Sequence, residues 1–339
     1  MIIQTLGLDI GKSTFHMVGL DAKGQSVHKH KYTRTALMRF MANLPPCVVG
    51  MESCPGSQHL ARRFSEHGHT VKLMAAQFVK PYVKSNKSDY LDAEAIAEAV
   101  TRPTMRFVPV KTPAQQDLQA VHRVRSGLVM QRTAQINQLR AFLLENGLTI
   151  PRGVRALGRE VPGILEDAEN GLSHRMRALI AELWRQIHDL EERIGELTQE
   201  LTLVARTDTS CQRLLTVPGI GPLTATALVA AIGNGREFRH GRELAAFLGL
   251  VPRQYSTGGK PTLLGISKRG NVYLRTLFIH GARSVLRGAD KRADRLGPWL
   301  RGLTARRHAN VAAVALANKL ARIAWAVLVQ GRDYQPSAA

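Results

Sequence analysis

Two apolar segments open the chain and predict paired strands. Apolar side chains at positions 2, 3, 6 and 8 predict a buried strand that ends at Asp9, just before a glycine. Residues 13–20 alternate as a half-buried strand does, and the turn-forming segment 21–25 leads to Val27. The pattern therefore predicts a β-meander with Asp9 on its first, central strand.

The following segments alternate between helix and strand, which predicts an α/β domain. In such domains functional side chains gather at the carboxyl ends of strands, where both Asp9 and Glu52 fall. The predicted elements are a helix at 36–44 that stops at two prolines, a strand at 47–52, a helix through Leu60 and Phe64, and a strand at 70–74.

Two further acids lie three residues apart at the start of a predicted helix, which Ser88 or Asp89 can cap. Asp89 and Asp92 would project from one face of that helix. With Asp9 and Glu52 they give four carboxylates, a set that suits divalent ions clamping the oxygens of a phosphodiester. Because all these ligands are oxygens, magnesium is the expected ion. Taken singly, Asp9 also fits a solvated turn aspartate, and the helical acids also fit compensation of the helix dipole.

Long helical patterns occupy the middle of the chain. Residues 115–146 have apolar helical spacing among arginines and amides, a surface that suits either a nucleic-acid backbone or plain solvent. Glycine, proline and arginine over 151–171 predict a linker. Four apolar heptads over 176–204 predict a coiled coil, which pairs either within the chain or with another subunit.

The C-terminal part carries two glycine-containing motifs. Residues 214–225 resemble a helix-hairpin-helix turn, in which Gly219 and Gly221 would let backbone N–H groups approach a phosphate; a plain interhelical turn is the alternative. Helices are expected at 223–232 and 242–248, followed by an exposed flexible loop at 253–261.

That loop offers hydroxyls beside basic side chains. Ser256 or Thr257 would be a nucleophile if another group takes its proton, and without that help the loop is only a phosphate-binding one. The residues expected to surround the phosphate are Arg253, Lys260, Lys268 and Arg269.

Composition points to a polyanionic partner. The 339 residues are 44% hydrophobic, as in a globular protein of two or three domains, and the formal net charge of +21 favours nucleic acid over a membrane surface. Lys12, Lys84 and Lys87 lie near the acids in the sequence and are expected to guide a phosphate in. The three cysteines have no metal-ligand spacing and are expected to be reduced. No uninterrupted run of about eighteen apolar residues and no signal-peptide pattern occur, which predicts a cytoplasmic, nucleoid-associated protein.

Taken together, these motifs resemble the transposases of insertion-sequence family one-hundred-and-ten, nearer its eleven-eleven subgroup, with Piv-type DNA invertases as relatives. The resemblance covers nearly the whole chain, and the combination of motifs is specific although no single one is. The segments that carry it are Gly7–Lys12, Met51–Ser53, Lys87–Ala93, Pro218–Gly221, Gly249–Lys260 and Ser267–Asn271.

The resemblance implies a RuvC-like, ribonuclease-H-type domain and a transposase domain with a catalytic serine. Asp9, Glu52, Asp89 and Asp92 match the family's magnesium-binding acids. Many relatives have serine directly before glycine, whereas the Ser256-Thr257-Gly258-Gly259 order lets either hydroxyl align; Ser256 is the expected nucleophile and Thr257 the alternative. The family also implies a structured guide RNA that chooses donor and target DNA, and a dimeric to tetrameric assembly.

We therefore expect a bacterial RNA-guided DNA recombinase of an insertion element. The predicted organisation is a RuvC-like domain at 1–112, a long helix, linker and coiled coil at 113–207, a mainly helical transposase domain at 208–332, and a tail at 333–339. Two alternatives remain at this stage: a junction resolvase or structure-selective nuclease that uses water, and a non-catalytic scaffold that binds RNA or DNA.

Overall fold

A computed structural model describes residues 2–84 and 88–336, so the predicted contact residue Lys87 lies outside the described residues. The chain forms two compact units, Met1–Thr112 and Pro113–Ala339.

The first unit is built on a six-stranded mixed sheet of order β3-β2-β1-β4-β5-β6. The first three strands form an antiparallel meander, β4 and β5 run parallel to β1, and β6 is antiparallel to β5. The predicted meander and the alternation of strands and helices are therefore confirmed. The elements are β1 (Thr5–Ile10), β2 (Thr14–Leu20), β3 (Ser26–Thr33), α1 (Arg34–Asn43), β4 (Val48–Glu52), α2 (Ser57–Glu66), β5 (Thr70–Met74), α3 (Ala76–Val79), α4 (Asp89–Ala99) and β6 (Phe107–Val108).

The two faces of this sheet carry different side chains because neighbouring strand residues point to opposite faces. On one face, Leu6, Leu8 and Met51 pack with α1 and α2 in a fully buried core. On the other face, Gly7 and Gly50 let α4 approach the sheet. A Cβ atom on Gly7 would lie 2.0 Å from the carbonyl oxygen of Ala93, so only glycine fits there.

The second unit is mainly helical, with one two-stranded sheet. Its elements are α5 (Pro113–Glu145), α6 (Val154–Glu166), α7 (His174–Thr207), α8 (Thr209–Leu215), α9 (Pro222–Ile232), α10 (Gly241–Phe247), β7 (Pro252–Thr257), β8 (Lys260–Ile266), α11 (Val272–Arg287), α12 (Leu296–Thr304) and α13 (Ala309–Gln330).

The apolar stripe of α7 packs against α5 of the same chain. Ile180 and Ile187 are buried in one cluster with Leu139 and Leu143, and Leu190 in another with Leu128. Beside this seam, Arg125 Nε donates a hydrogen bond to Thr198 Oγ1 at 2.7 Å. The coiled-coil geometry, and any further pairing with another subunit, stay predictions.

The expected linker at 151–171 is wrong, because it contains α6. Leu157 and Val161 are spaced one helical turn apart and are buried against α5 and α7. Glycine and proline suggested a linker, yet Pro162 lies within the helix. The burial of this apolar face offsets the weak helix propensity of those residues.

The expected flexible loop at 253–261 is also wrong, because these residues form most of a β-hairpin. Gly258 and Gly259 connect β7 to β8 with φ angles of 54° and 76°. Two central residues with positive φ are the requirement of a type I′ hairpin turn, whose twist matches that of the strands. The glycine pair therefore indicates a tight turn where the sequence analysis inferred mobility.

One helix among the described residues, α13, is long and apolar enough to cross a membrane by length and composition. Half of its most apolar 18-residue stretch is buried inside the second unit, where Leu316, Leu320 and Ala324 join the main core. The core helices of soluble proteins share this length and composition, so these two properties do not by themselves indicate a membrane span.

Candidate metal centre and serine hairpin

Asp9 and Glu52 lie side by side at one edge of the first unit's sheet. The parallel register of β1 and β4 pairs Leu8 with Met51, so the next residue on each strand is an acid. Asp9 follows Gly7 by two positions and Glu52 follows Gly50 by two, which puts both carboxylates on the face that α4 covers.

Helix α4 brings the other two acids to the same place. Asp89 and Asp92 occupy its first turn, and the close approach at Gly7 fixes that turn over the strand ends. Ser88 stands at the N-cap position, but its side chain makes no capping hydrogen bond. The structure therefore brings together the four acids that the sequence singled out.

Electrostatics show how closely the four carboxylates interact. Burial raises the pKa of Asp9, and the charges of Asp89 and Asp92 raise it further. Burial likewise raises the pKa of Glu52, with added repulsion from Asp9 and Asp92. Like charges resist joint ionisation unless a cation neutralises them. The cluster thus has the electrostatics of a cation site.

His16 is a member of the site that the sequence analysis missed. It is the antiparallel partner of Asp9 in the β1–β2 hairpin and is nearly buried. Its Nδ1 atom lies 3.4 Å from Asp89 Oδ2, and its ring meets the Tyr90 ring edge-on at 4.9 Å. Potential ligand atoms of Asp9, His16 and Asp89 all lie within 4.8 Å of one another. The hairpin register was the available signal, because residues directly opposite share a face.

The expected basic neighbours differ in their surroundings. Lys12 is exposed in the turn between β1 and β2. Lys84 forms exposed ion pairs with Glu98 at 3.3 Å and Glu94 at 3.8 Å, on the outer side of α4. In this arrangement the Lys84 ammonium group neutralises helix acids that are not part of the four-carboxylate cluster.

Ser256 lies near the tip of the β7–β8 hairpin, which we call the serine hairpin (residues 252–266). Its hydroxyl is exposed and accepts a hydrogen bond from Gln254 Nε2 at 2.8 Å. Ser256 pairs across the ribbon with Pro261, whereas Thr257 pairs with Lys260. Because successive strand residues point to opposite faces, the two hydroxyls face opposite sides, and Lys260 shares the face of Thr257.

Backbone contacts anchor the base of the serine hairpin. Arg275 on α11 is buried, and its Nη1 donates to the carbonyl oxygens of Leu248 at 2.9 Å and Arg269 at 3.2 Å. A Cβ on Gly249 would lie 2.0 Å from the Arg269 carbonyl oxygen. Lys268 takes a left-handed φ of 55°, and its N–H donates to the Gly249 carbonyl. Of the four expected phosphate contacts, Lys268 and Arg269 therefore lie at this fixed base, while Arg253 and Lys260 lie on the strands.

The two glycines of the 214–225 motif have different environments. Gly219 has a φ of 80°, and a Cβ there would lie 2.7 Å from the Gly281 carbonyl oxygen on α11. Close packing of two backbones thus accounts for Gly219. Gly221 immediately precedes α9, and a Cβ there would meet nothing within 4 Å. Only Gly221 leaves open space at the predicted phosphate contact.

The fold and the site define a class of protein: a mixed α/β unit with clustered carboxylates able to hold a metal, followed by a helical unit with an exposed hydroxyl-bearing hairpin. Residues 6–146 match a family model described as "Transposase", of the IS110 DEDD type. Residues 211–296 match one described as "Transposase IS116/IS110/IS902 family".

Similar proteins extend the match to the full chain. A protein named "Probable family 20 transposase" from Pseudomonas aeruginosa is 48% identical over 99% of this chain and 100% of its own length. The transposase for insertion sequence element IS1111A of Coxiella burnetii is 45% identical over 99% of this chain and 92% of its own length. The pilin gene-inverting protein of Moraxella bovis is 25% identical over 82% of this chain and 78% of its own.

The chain therefore belongs to the IS110/IS116/IS902 family of insertion-sequence transposases. The resemblance inferred from the motifs is confirmed, including its eleven-eleven relatives and the inverting protein. The six-stranded mixed sheet is consistent with the RuvC-like fold that this family implies.

Proposed function

We propose that this protein is a DNA recombinase that moves an insertion element by cutting and rejoining donor and target DNA. The observation that carries the proposal is the convergence of Asp9, Glu52, Asp89 and Asp92 at one edge of the sheet. Clustered carboxylates suit divalent-metal catalysis of phosphodiester transfer. The full-length similarity to insertion-sequence transposases supports the same activity.

We propose magnesium as the ion, held by the four acids. The donor set fits it, because carboxylate oxygens are the ligands of a hard cation, and the raised pKa values of Asp9 and Glu52 reflect repulsion that a cation would relieve. When bound, the ion would stabilise negative charge on the phosphate oxygens. His16 would hold the Asp89 carboxylate in position through the 3.4 Å contact.

Ser256 is the proposed nucleophile. Its hydroxyl would lose its proton as the oxygen forms a bond to phosphorus, the phosphorus–oxygen bond of the DNA would break, and the departing DNA oxygen would take up a proton in exchange. Exposure of this hydroxyl at the tip of a two-stranded ribbon supports the assignment, since a DNA phosphate can reach it. Thr257, which shares a face with Lys260, is the alternative nucleophile.

The proposed partners are donor DNA, target DNA, a structured guide RNA and further copies of this chain. A net charge of +21 supports several polyanionic partners, because lysine and arginine side chains neutralise backbone phosphates. Base pairing by the RNA would then supply the sequence choice, while the protein contacts backbones.

A search for a covalent protein–DNA adduct tests the proposal. Purified protein is incubated with Mg²⁺, RNA transcribed from the flanks of its element, and labelled junction DNA; denaturing gels and peptide mapping then locate the link. We expect an adduct at Ser256 that Ser256→Ala abolishes and Asp9→Asn reduces by at least about 10²-fold. An adduct at Thr257 would keep the mechanism and change the nucleophile.

A water-using nuclease or junction resolvase is the second candidate. It is favoured by the hydrogen bonding of Ser256, whose described partner is an amide donor and not a group able to take its proton. This candidate predicts DNA cleavage without any adduct, and cleavage that survives the double change Ser256→Ala with Thr257→Ala. Undiminished function after Asp9→Asn would contradict both candidates and leave a binding scaffold.

A further inference from the structure

A row of side chains crosses the sheet at the level of the acidic cluster and continues to its edge. Asp9 on β1 is paired with His16 on β2, and His16 is paired with Lys31 on β3. Residues directly opposite one another project from the same face of a sheet. Lys31 therefore lies on the face that carries the acids, two strand spacings or about 10 Å from Asp9.

Lys29 lies two residues along β3 and so projects from the same face. Its partner on β2 is Val18, which packs under α4 with Ala93 and Ala97. Its Nζ atom lies 4.8 Å from the centre of the Tyr90 ring, and that ring also contacts His16. Lys29 is thereby held at the margin of the acidic cluster by an aromatic side chain of α4.

Both lysines are exposed, and neither forms an ion pair with any residue that the structure describes. This distinguishes them from Lys84, whose ammonium group is paired with two glutamates. An acidic cluster repels a phosphodiester backbone, so a strand entering it needs cationic side chains beside the acids. Lys29 and Lys31 are unpaired cations in that position.

We propose that Lys29 and Lys31, the β3 lysine pair, form a binding site for the backbone of the DNA strand that is cut. The strand would run from the acidic cluster over His16 to the β3 edge, with a phosphate a few nucleotides from the reacting one held by the pair. This site rests on the proposed DNA-cutting function. It adds residues on β3, outside the four acids and the serine hairpin.

The binding test uses full-length Lys31→Ala, Lys29→Ala and the double variant, with labelled junction DNA in Ca²⁺ over a series of salt concentrations. Each lost phosphate contact should lower the slope of log affinity against log salt by about 0.7 to 0.9. Affinity at low salt should fall roughly two- to fivefold per lysine. Lys31→Arg should restore both values, because arginine keeps the charge.

Lys23→Ala is the matched control. Lys23 lies in the β2–β3 turn, at the other end of the same hairpin. Its substitution by alanine removes one positive charge, as each β3 variant does. The strand between Ser26 and Lys31 is about 17 Å long, so a phosphate held beside the acidic cluster does not contact Lys23. Salt slopes for the β3 variants that equal those of wild type or of Lys23→Ala would overturn the proposal.

A cleavage assay in Mg²⁺ separates this proposal from the proposed function. Lys31→Ala should raise the half-saturating DNA concentration more than it lowers the saturating rate, with an unchanged melting temperature. If Asp9→Asn still cuts DNA, the proposed function fails. The salt slopes measured in Ca²⁺ would even then show whether the lysine pair binds the DNA backbone. A slope change with guide RNA alone, and none with DNA, would assign the pair to RNA and overturn the DNA assignment.

Discussion

At the scale of single residues, the chemistry of the acidic cluster is set by repulsion among its members. The ionised form of Asp9 is disfavoured by burial and by the charges of Asp89 and Asp92; among the described residues, the charge of His16 and a hydrogen bond from the Ile10 backbone favour it. The ionised cluster therefore costs folding free energy when no cation is bound. The same repulsion provides the driving force for metal binding.

Removing the charge of Asp9 should relieve the repulsion in the metal-free protein and also weaken the stabilisation that Mg²⁺ binding provides. Asp9→Asn is expected to raise the melting temperature by a few degrees in a chelator, because it relieves repulsion. Wild type should gain about 1.4 kcal/mol of stability at Mg²⁺ ten times its dissociation constant, and the variant much less. Differential scanning fluorimetry with and without Mg²⁺ measures both. Glu94→Gln, on α4 but outside the cluster, is the control; equal Mg²⁺ shifts in all three proteins would contradict the metal assignment.

The raised pKa of Asp9 fixes the direction in which the stabilisation by Asp9→Asn should change with pH. The pKa of Asp9 in the folded protein lies above its ordinary value of 3.8, so the folded state holds the proton more tightly. The stability linked to that proton is fully present below pH 3.8 and is lost as the pH rises through the raised pKa. Without metal, the difference in melting temperature between Asp9→Asn and wild type should therefore grow with pH; a constant difference would show that charge is not its cause.

At the scale of elements, a buried histidine joins three helices of the second unit. His122 on α5 has its Nδ1 atom 3.0 Å from Tyr273 Oη on α11 and its Nε2 atom 3.0 Å from Thr226 Oγ1 on α9. Burial, with the nearby Arg125 charge, lowers the pKa of His122 to about 4. The neutral imidazole therefore fixes α11, which directly follows the serine hairpin, relative to α5 and α9.

The hydrogen bonds of His122 predict that the packing of α5, α9 and α11 is sensitive to acid. Because the pKa of His122 falls on folding, its neutral form supports stability above about pH 6.5, and that support is lost as the pH falls towards 4. The loss amounts to at most roughly 3–4 kcal/mol, at about 1.4 kcal/mol per pKa unit. In urea unfolding at several pH values, His122→Gln should show a smaller fall in stability between pH 6.5 and 4 than wild type. His174→Gln, at the exposed start of α7, should behave as wild type; parallel curves for His122→Gln would refute the network's role.

The unexpected helix α6 gives a second prediction for an element. Leu157 is fully buried against α5 and α7, so Leu157→Ala should lower the free energy of unfolding by about 2–5 kcal/mol. Arg155→Ala, an exposed change in the same helix, should lower it by less than about 0.5 kcal/mol. Urea unfolding followed by circular dichroism compares them. Equal stability of the two variants would mean that the segment behaves as the linker that its composition suggested.

At the scale of the whole molecule, 47 basic residues stand against 26 acidic ones. If backbone phosphates are the main contacts, the logarithm of DNA affinity should fall linearly with the logarithm of salt. Six to ten contacts would lower the affinity about 10³- to 10⁵-fold between 50 and 200 mM salt. Fluorescence anisotropy with duplexes of two unrelated sequences measures this. A slope shallower than about 3, or one that differs between the sequences without RNA, would contradict backbone-dominated binding.

The sequence predicted some parts of the site because short-range patterns encode them. Asp9 and Glu52 could be placed because Asp9 is the second-last residue of one apolar strand and Glu52 the last of another, and Asp89 with Asp92 because helix spacing puts them together. His16 and Lys31 were missed, because their relation to Asp9 depends on strand register. The serine hairpin was misjudged because a glycine pair fits both a mobile loop and a type I′ turn.

The sequence by itself determined the α/β class of the first unit, the family of the chain and the identity of its four clustered acids, because periodicity and local motifs carry that information. Tertiary structure alone decided that Gly7 admits α4 to the sheet, that α6 is a packed helix, and that Ser256 and Thr257 face opposite sides of a ribbon. These features depend on packing and register between segments distant in sequence, where burial outweighs local propensity.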